Sequence, residues 1–292
     1  MATSSIEPQP GGRSAPGLFG INDHRRLRLA IAIVLALLAL GPLLFMISLS
    51  FQPVGDLLAA KPVIVPTHPT VQNYVQAWTE NRFGHYFLNS LLVSCSTVVI
   101  TIVLAALAAF AFARYRFRFK ELIFYIFLAS LAVPALILLI PQYLLLQRLG
   151  LLDSLEGLTL LYVSTNLPFS IFFLRGFFER IPREWEEAFR LDGAGTITVL
   201  VRLIMPLSLP ALAVVSMFTF NAAWDDFPTA LTMLNSPSKF TLPIGLQFFI
   251  GAHTTAWGPF FAASVIATIP TIIVLMVTLR WFRSGVSLGG IR

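Results

Sequence analysis

The chain has 292 residues, of which 57% are hydrophobic and 12% charged, and its formal net charge is +6. A soluble domain carries roughly 25% charged residues, and here the deficit falls in long charge-free runs, which argues against a soluble fold. The single cysteine, Cys95, excludes an intrachain disulfide, and the scattered His24, His68, His85 and His253 offer no metal-ligand cluster.

Residues 1–25 are polar and rich in Gly, Pro and Ser, and read as a disordered tail. The first apolar run, Leu29–Gly55, is longer than a signal-peptide core, and no small-residue cleavage pattern follows it. It is expected to be a retained anchor. Five further charge-free runs follow: Phe83–Ala113, Leu122–Gln147, Gly157–Leu174, Leu203–Trp224 and Phe240–Leu279. A spanning helix needs about 20 apolar residues. The runs therefore predict an all-α membrane protein with about six spans, at 28–51, 87–113, 121–146, 157–178, 206–231 and 258–281. Residues 26–292 form one transmembrane domain. Six spans place both termini on one side of the bilayer. Sixteen of the twenty lysines and arginines lie on that side, and only Lys61, Arg82, Arg148 and Lys239 lie on the other. Cationic loops stay in the cytoplasm, so both termini are expected to be cytoplasmic.

After the first span, Pro53, Pro62, Pro66 and Pro69 predict extended chain. Val71–Trp78 then reads as a short interfacial helix with Tyr74 and Trp78 on one face. Ala105, Ala109 and Ala113, four apart in the second span, permit close helix packing. Pro134 and Pro141 should each bend the third span, as a hinge or as a packing feature.

The segment 179–207 is too polar to span and too patterned for disorder. Pro182 suits a helix start. Trp185, Ala188 and Phe189 fall on one apolar face, with Glu184, Glu186, Glu187 and Arg190 mostly off it. Asp192-Gly193 is a turn pair, in which Asp192 either pins the turn or is a plain turn residue. A second helical stretch leads to Pro206 and Pro210, at the entry to the fifth span. The carboxylates from Glu184 to Asp192 do not suit adhesion to an anionic leaflet, but would suit a basic groove on a soluble partner.

This segment resembles the signature loop of ATP-binding-cassette (ABC) import permeases, E-A-A-x3-G-x9-I-x-L-P. Glu187, Ala188, Gly193 and Pro206 match at the expected spacing, while Phe189, Leu203 and Met205 depart from it and stay apolar. The string EEAFRLDGA is similar to the version found in carbohydrate permeases. The Asn73–Trp78 segment, the run Trp224-Asp225-Asp226-Phe227 and the tail Arg280–Arg292 are similar to the second permease of maltose-type systems. The resemblance implies a type I ABC importer permease fold and binding-protein-dependent import of a di- or oligosaccharide or a related polyol compound. It also implies a second permease subunit, an ABC ATPase dimer docked on the loop, and an extracytoplasmic substrate-binding protein. ATP and Mg would sit on the ATPase, with no cofactor on this chain and no catalytic residue. Membrane lipid surrounds it, and no nucleic-acid partner is expected. Glu187 is the main expected docking residue, with Ala188 and Gly193 giving close approach and the turn.

Asn221, Trp224, Asp225 and Asp226 are candidates for the substrate path. The two aspartates could accept hydrogen bonds from sugar hydroxyls, gate the path, or hold helices together with Asn221 or Asn166. Trp224 reads as an interface anchor or a stacking platform. An ion-coupled secondary transporter would need an internal repeat and coupling residues deep in the membrane. A membrane enzyme would need a nucleophile and base. Neither accounts for the patterned loop.

Overall fold

The computed structural model describes residues 19–57, 65–79, 82–251 and 255–286. The expected tail lies outside these up to residue 18, as do Gly289 and Gly290 of the terminal motif. The chain divides into two compact units, Met1–Met46 and Ile47–Arg292. The first is built on α1 (Phe19–Ser50), which begins inside the expected tail and carries Pro42. Its apolar part, Leu27–Ser50, is long enough to cross a bilayer.

Among the described residues of the second unit the regular structure is helical, joined by turns and irregular segments, with one isolated β-bridge between Ile250 and Thr255. Its principal helices are α2 (Gln72–Thr79), α3 (Phe83–Arg114), α4 (Lys120–Ser130), α5 (Leu139–Leu149), α6 (Leu155–Phe178), α7 (Arg183–Leu191), α8 (Leu209–Trp224) and α9 (Trp257–Val286). Among the described residues, α1, α3, α6 and α9 give four unbroken candidate spans. Two bent pairs bring the number to six. The expected boundaries hold within a few residues for the first, second, fourth and sixth spans.

The third and fifth spans differ from the single helices expected. Lys120–Ser130 and Ala135–Leu149 meet at 96°. The break falls at Pro134, whose backbone is extended. Pro141 causes no second bend because it lies in the first turn of α5, where its missing N–H costs no helical bond. Thr196–Leu207 and α8 meet at 82° around Ser208, between Pro206 and Pro210. At its far end α8 stops at Trp224, and a separate short helix, Pro228–Met233, follows.

α3 is the centre of the second unit and packs on α6 and α8, while α9 packs on α8 and α2. The alanine spacing explains the closeness. Ala105, Ala109 and Ala113 are all buried in one cluster with Ile171, Leu174 and Phe178 of α6 and Val215 of α8. α2 is pinned by its own Asn73, the first residue of the Asn73–Trp78 segment. Buried Asn73 donates to the carbonyls of Ser50 and Gln52, at 2.9 and 2.8 Å. Gly258 faces Asn73 so closely that a Cβ there would lie 2.5 Å from its Oδ1. Tyr74 bonds the Ser50 hydroxyl at 2.7 Å, and Trp78 edges onto Phe83.

The bundle has two chemically different ends. Arg114, Glu121, Arg175 and α7 gather at one, as the contacts below show. At the other, the segment after the short helix Pro228–Met233 is latched to the first turns of α3. Asn89 donates to the carbonyls of Ser238 and Phe240, and the Ser90 hydroxyl accepts from the Leu242 N–H. Asp153 accepts from the N–H groups of Asn235 and Ser236, both at 2.9 Å, and from the Ser236 hydroxyl.

Candidate functional site

The cationic end is assembled by two arginines. Arg114, the last residue of α3, donates from Nε to the Glu186 carboxylate and from a terminal nitrogen to the Ile181 carbonyl at 2.9 Å. Both charged side chains are 7% exposed. Arg175, near the end of α6, binds Glu121 of α4 at 3.0 Å and Glu179 at 2.8 Å, with its guanidinium 4.0 Å from the Phe124 ring centroid. Ion pairs thus tie the end of α3 to α7, and the end of α6 to the first turn of α4.

α7 follows Pro182, which stands one residue before it. The helix ends in a closed turn. Gly193 has φ +84°, its N–H bonds the Arg190 carbonyl at 3.0 Å, and the Ala194 N–H reaches back to the Phe189 carbonyl at 3.0 Å. This pair of bonds is a Schellman closure, which needs a left-handed residue at Gly193. The turn closes through backbone alone. The Asp192 side chain is exposed and does not pin it.

The helix presents its faces differently from the apolar pattern. Glu186 and Phe189, three apart, turn inward, Glu186 onto Arg114 and Phe189 onto the α3–α6–α8 core. Trp185, at 50% exposure, and Ala188 face outward with Glu184 and Glu187. Glu186 therefore does not join the other carboxylates on the open face. A buried ion pair has overridden amphipathic placement. Phe189, the departure from the small-residue motif, sits on the inner side and leaves the outer face unchanged. Beyond the turn, Leu191 at 89% and Ile197 at 61% extend an exposed apolar edge. Pro206 lies in the short helix Met205–Leu207, before the bend into α8.

The four path candidates separate. Trp224 is 2% exposed, donates from its indole to the Ala267 carbonyl at 3.1 Å and stacks on Phe220, so it is a core strut between α8 and α9. It is neither an interface anchor nor an open platform. Asp226 accepts from the Tyr162 hydroxyl at 2.8 Å, from Thr229 at 3.1 Å and from the Ala230 N–H at 3.1 Å. It caps the helix Pro228–Met233 and ties it to α6, through Tyr162 and not through Asn221 or Asn166. Asn166 instead donates to the carbonyl of Tyr162, within its own helix. Asp225 is exposed, and the buried amide oxygen of Asn221 has no protein partner. Asp225 is thus open to another molecule, whereas the Asn221 oxygen is enclosed by the protein. Among the described residues no group of His, Cys, Asp and Glu could hold a metal ion.

Arg114, Arg175 and Tyr162 were not singled out from the sequence. The available signal for Arg114 was its place directly after a charge-free run, at a helix C-terminus, where a cation is favoured.

A helical membrane bundle with a rigidly mounted polar helix–turn–helix at one end defines a membrane-embedded transport subunit. The chain belongs to the family of binding-protein-dependent transport system inner membrane components, whose model matches residues 101–288. It is 39% identical over 228 residues to a putative ABC transporter permease protein, ORF1, of Streptomyces antibioticus, covering 78% of this chain and 100% of that one. It is 33% identical to the diacetylchitobiose uptake system permease protein NgcG of Streptomyces coelicolor, covering 90% of this chain and 87% of that one. In fold it is similar to a chain of a bacterial ABC transporter involved in import of the acidic polysaccharide alginate, with TM-score 0.78, 23% identity and coverage of 92% and 100%. It is a permease subunit of the inner membrane and not an enzyme.

Proposed function

We propose that this chain is one of two permease subunits of an ATP-driven importer for a di- or oligosaccharide or a related polyol compound. An extracytoplasmic binding protein delivers the solute, and an ABC ATPase dimer, carrying ATP and Mg, docks on segment 179–207. The arginine-rich end, with both termini, is cytoplasmic, in keeping with the positive-inside rule. The observation that carries the reading is the mounting of α7. Its outer face is open to a partner, with Glu184, Glu187 and Ala188 exposed, while its inner face is bonded to the end of α3. A push on the outer face is therefore delivered to a span that packs on α6 and α8. Closure of the ATPase dimer would rotate the bundle as a rigid body. The sugar assignment is supported by relatives named for diacetylchitobiose, sulfoquinovosyl glycerol and trehalose/maltose transport.

The test is purification of the tagged chain from native membranes in mild detergent, followed by uptake in proteoliposomes. Copurification of a nucleotide-binding subunit and a second permease, with uptake that needs ATP and a binding protein, is the expected result. A chain that purifies alone and takes up solute on an ion gradient would overturn the reading in favour of a secondary transporter.

A further inference from the structure

The break in the third span opens a cavity. Between α4 and α5, residues 131–134 leave the helix, and Pro134 is extended before the short helix Ala135–Leu138. As opening residues of that helix, Ala135 and Leu136 have N–H groups with no intrahelical acceptor. Irregular backbone at membrane depth is tolerated only against protein or where it lines a water-filled space. Leu136 and Ile137 are each 67% exposed in this chain, so its own bundle does not cover them.

The space beside the break is about 450 Å³, within the usual roughly 300–1,000 Å³ of ligand pockets. Its walls include Ser130, Pro134, Gln142, Ser164, Thr165 and Pro168. The hydroxyl protons are already committed. Ser130 donates to Phe127, and Ser164 and Thr165 both donate to Leu161, at 2.7 to 3.0 Å. Their oxygens are left as acceptors, and the Gln142 amide supplies both donor and acceptor. No charged residue lines the space. The remaining walls, Leu131, Val133, Ala135 and Leu138, are apolar. A few neutral acceptors and one amide set among apolar walls suit a ligand that carries both hydroxyl donors and apolar C–H faces and lacks net charge.

We propose that this cavity is a solute-binding site for a neutral polyhydroxylated compound on the translocation path, with the break in the third span as its wall. The proposal rests on the permease reading above and places the solute contact on α4, α5 and α6. Asp226, by contrast, is bound up in the fold.

The experiment uses the assembled transporter in membrane vesicles. Cys95 is replaced by Ser, and Ser130→Cys, Gln142→Cys and Ser164→Cys are introduced one at a time. Each is reacted with a charged, water-soluble methanethiosulfonate and, separately, with an apolar maleimide. Uptake of maltose, trehalose and diacetylchitobiose is measured first, and whichever is accumulated serves as the protecting solute. The expected result is reaction with the charged reagent, slowed several-fold by that solute. Ser164→Ala and Gln142→Ala should raise the KM for uptake about five-fold for each hydrogen bond lost, with maximal rate little changed. Cysteines that react with the maleimide alone would place the break against lipid and overturn the proposal. Reaction with the charged reagent that the accumulated solute does not slow would also overturn it. Uptake driven by an ion gradient would overturn the importer reading separately, since labelling and protection do not depend on the energy source.

Discussion

The Glu186 carboxylate lies on the inner face of its helix, against the Arg114 guanidinium, 72 residues away in the chain. This one contact joins the segment that meets the ATPase in our proposal to the central span of the bundle. Removing one partner of a buried pair leaves the other charge uncompensated and costs about 3–5 kcal/mol. Arg114→Ala or Glu186→Ala should therefore lower the melting temperature in detergent and reduce uptake. The double variant Arg114→Met/Glu186→Leu should recover much of the stability, because no lone charge remains. Uptake that stays low in a stable double variant would show that the pair transmits movement as well as supporting the fold. Equal melting temperatures for all four proteins would remove the pair from both roles.

Glu187 is exposed, so its loss should not weaken the fold. Glu187→Ala is expected to leave the melting temperature within about 0.5 kcal/mol equivalent of the unmodified protein and to reduce copurification of the ATPase. Gly193→Pro acts differently. Proline fixes φ near −65°, whereas Gly193 has φ +84° and donates its N–H to Arg190. The turn would open, and assembly and uptake should both fail while membrane insertion persists. Normal uptake by both variants would sink the docking assignment.

Asp226 has three donors on it and acts within the fold. Tyr162→Phe removes one bond to a charged group, which costs about 1.5–3 kcal/mol. It should lower thermal stability and leave the KM for the transported solute unchanged. Asp226→Asn should fall between the unmodified protein and Asp226→Ala, since an amide oxygen can still accept from the Ala230 N–H. A large rise in KM at equal stability would instead return Asp226 to the solute path.

What could be read from the sequence follows from the range of the interactions. The helix, the left-handed Gly193 turn and the alanine seam on α3 were all legible, because each depends on neighbours within one or two turns. The inner face of α7 was not, because Arg114 reverses what the apolar pattern Trp185–Ala188–Phe189 implies. Asp226 was legible as an acid in an apolar setting, but its partner Tyr162 lies 64 residues away on another helix. Two prolines in the third span announced a bend. Only the helix register, with Pro141 in the first turn of α5, decides that one break of 96° forms and a second does not.

At the opposite end of the bundle, Asp153 gives a pH test. Burial raises its pKa, but bonds from the Ser236 side chain and backbone, the Asn235 N–H and Lys239 outweigh this and hold it well below the usual carboxylate range. A depressed pKa contributes stability that is complete above the unfolded value and is lost as pH falls through the folded one. Asp153→Asn should therefore lower the melting temperature by a constant amount between about pH 5 and 8, since an unperturbed Asp titrates near 3.9. The gap between the two proteins should narrow only below about pH 4. A gap that closes already at about pH 6 would assign the effect to another group, because no carboxylate with a depressed pKa takes up a proton there. The same variant loosens the hold of the turn before α6 on the segment 235–239, because an amide offers one acceptor oxygen where the carboxylate offers two. If that latch shapes the surface offered to the binding protein, uptake at neutral pH should need more binding protein for half-maximal rate, while ATPase copurification stays intact.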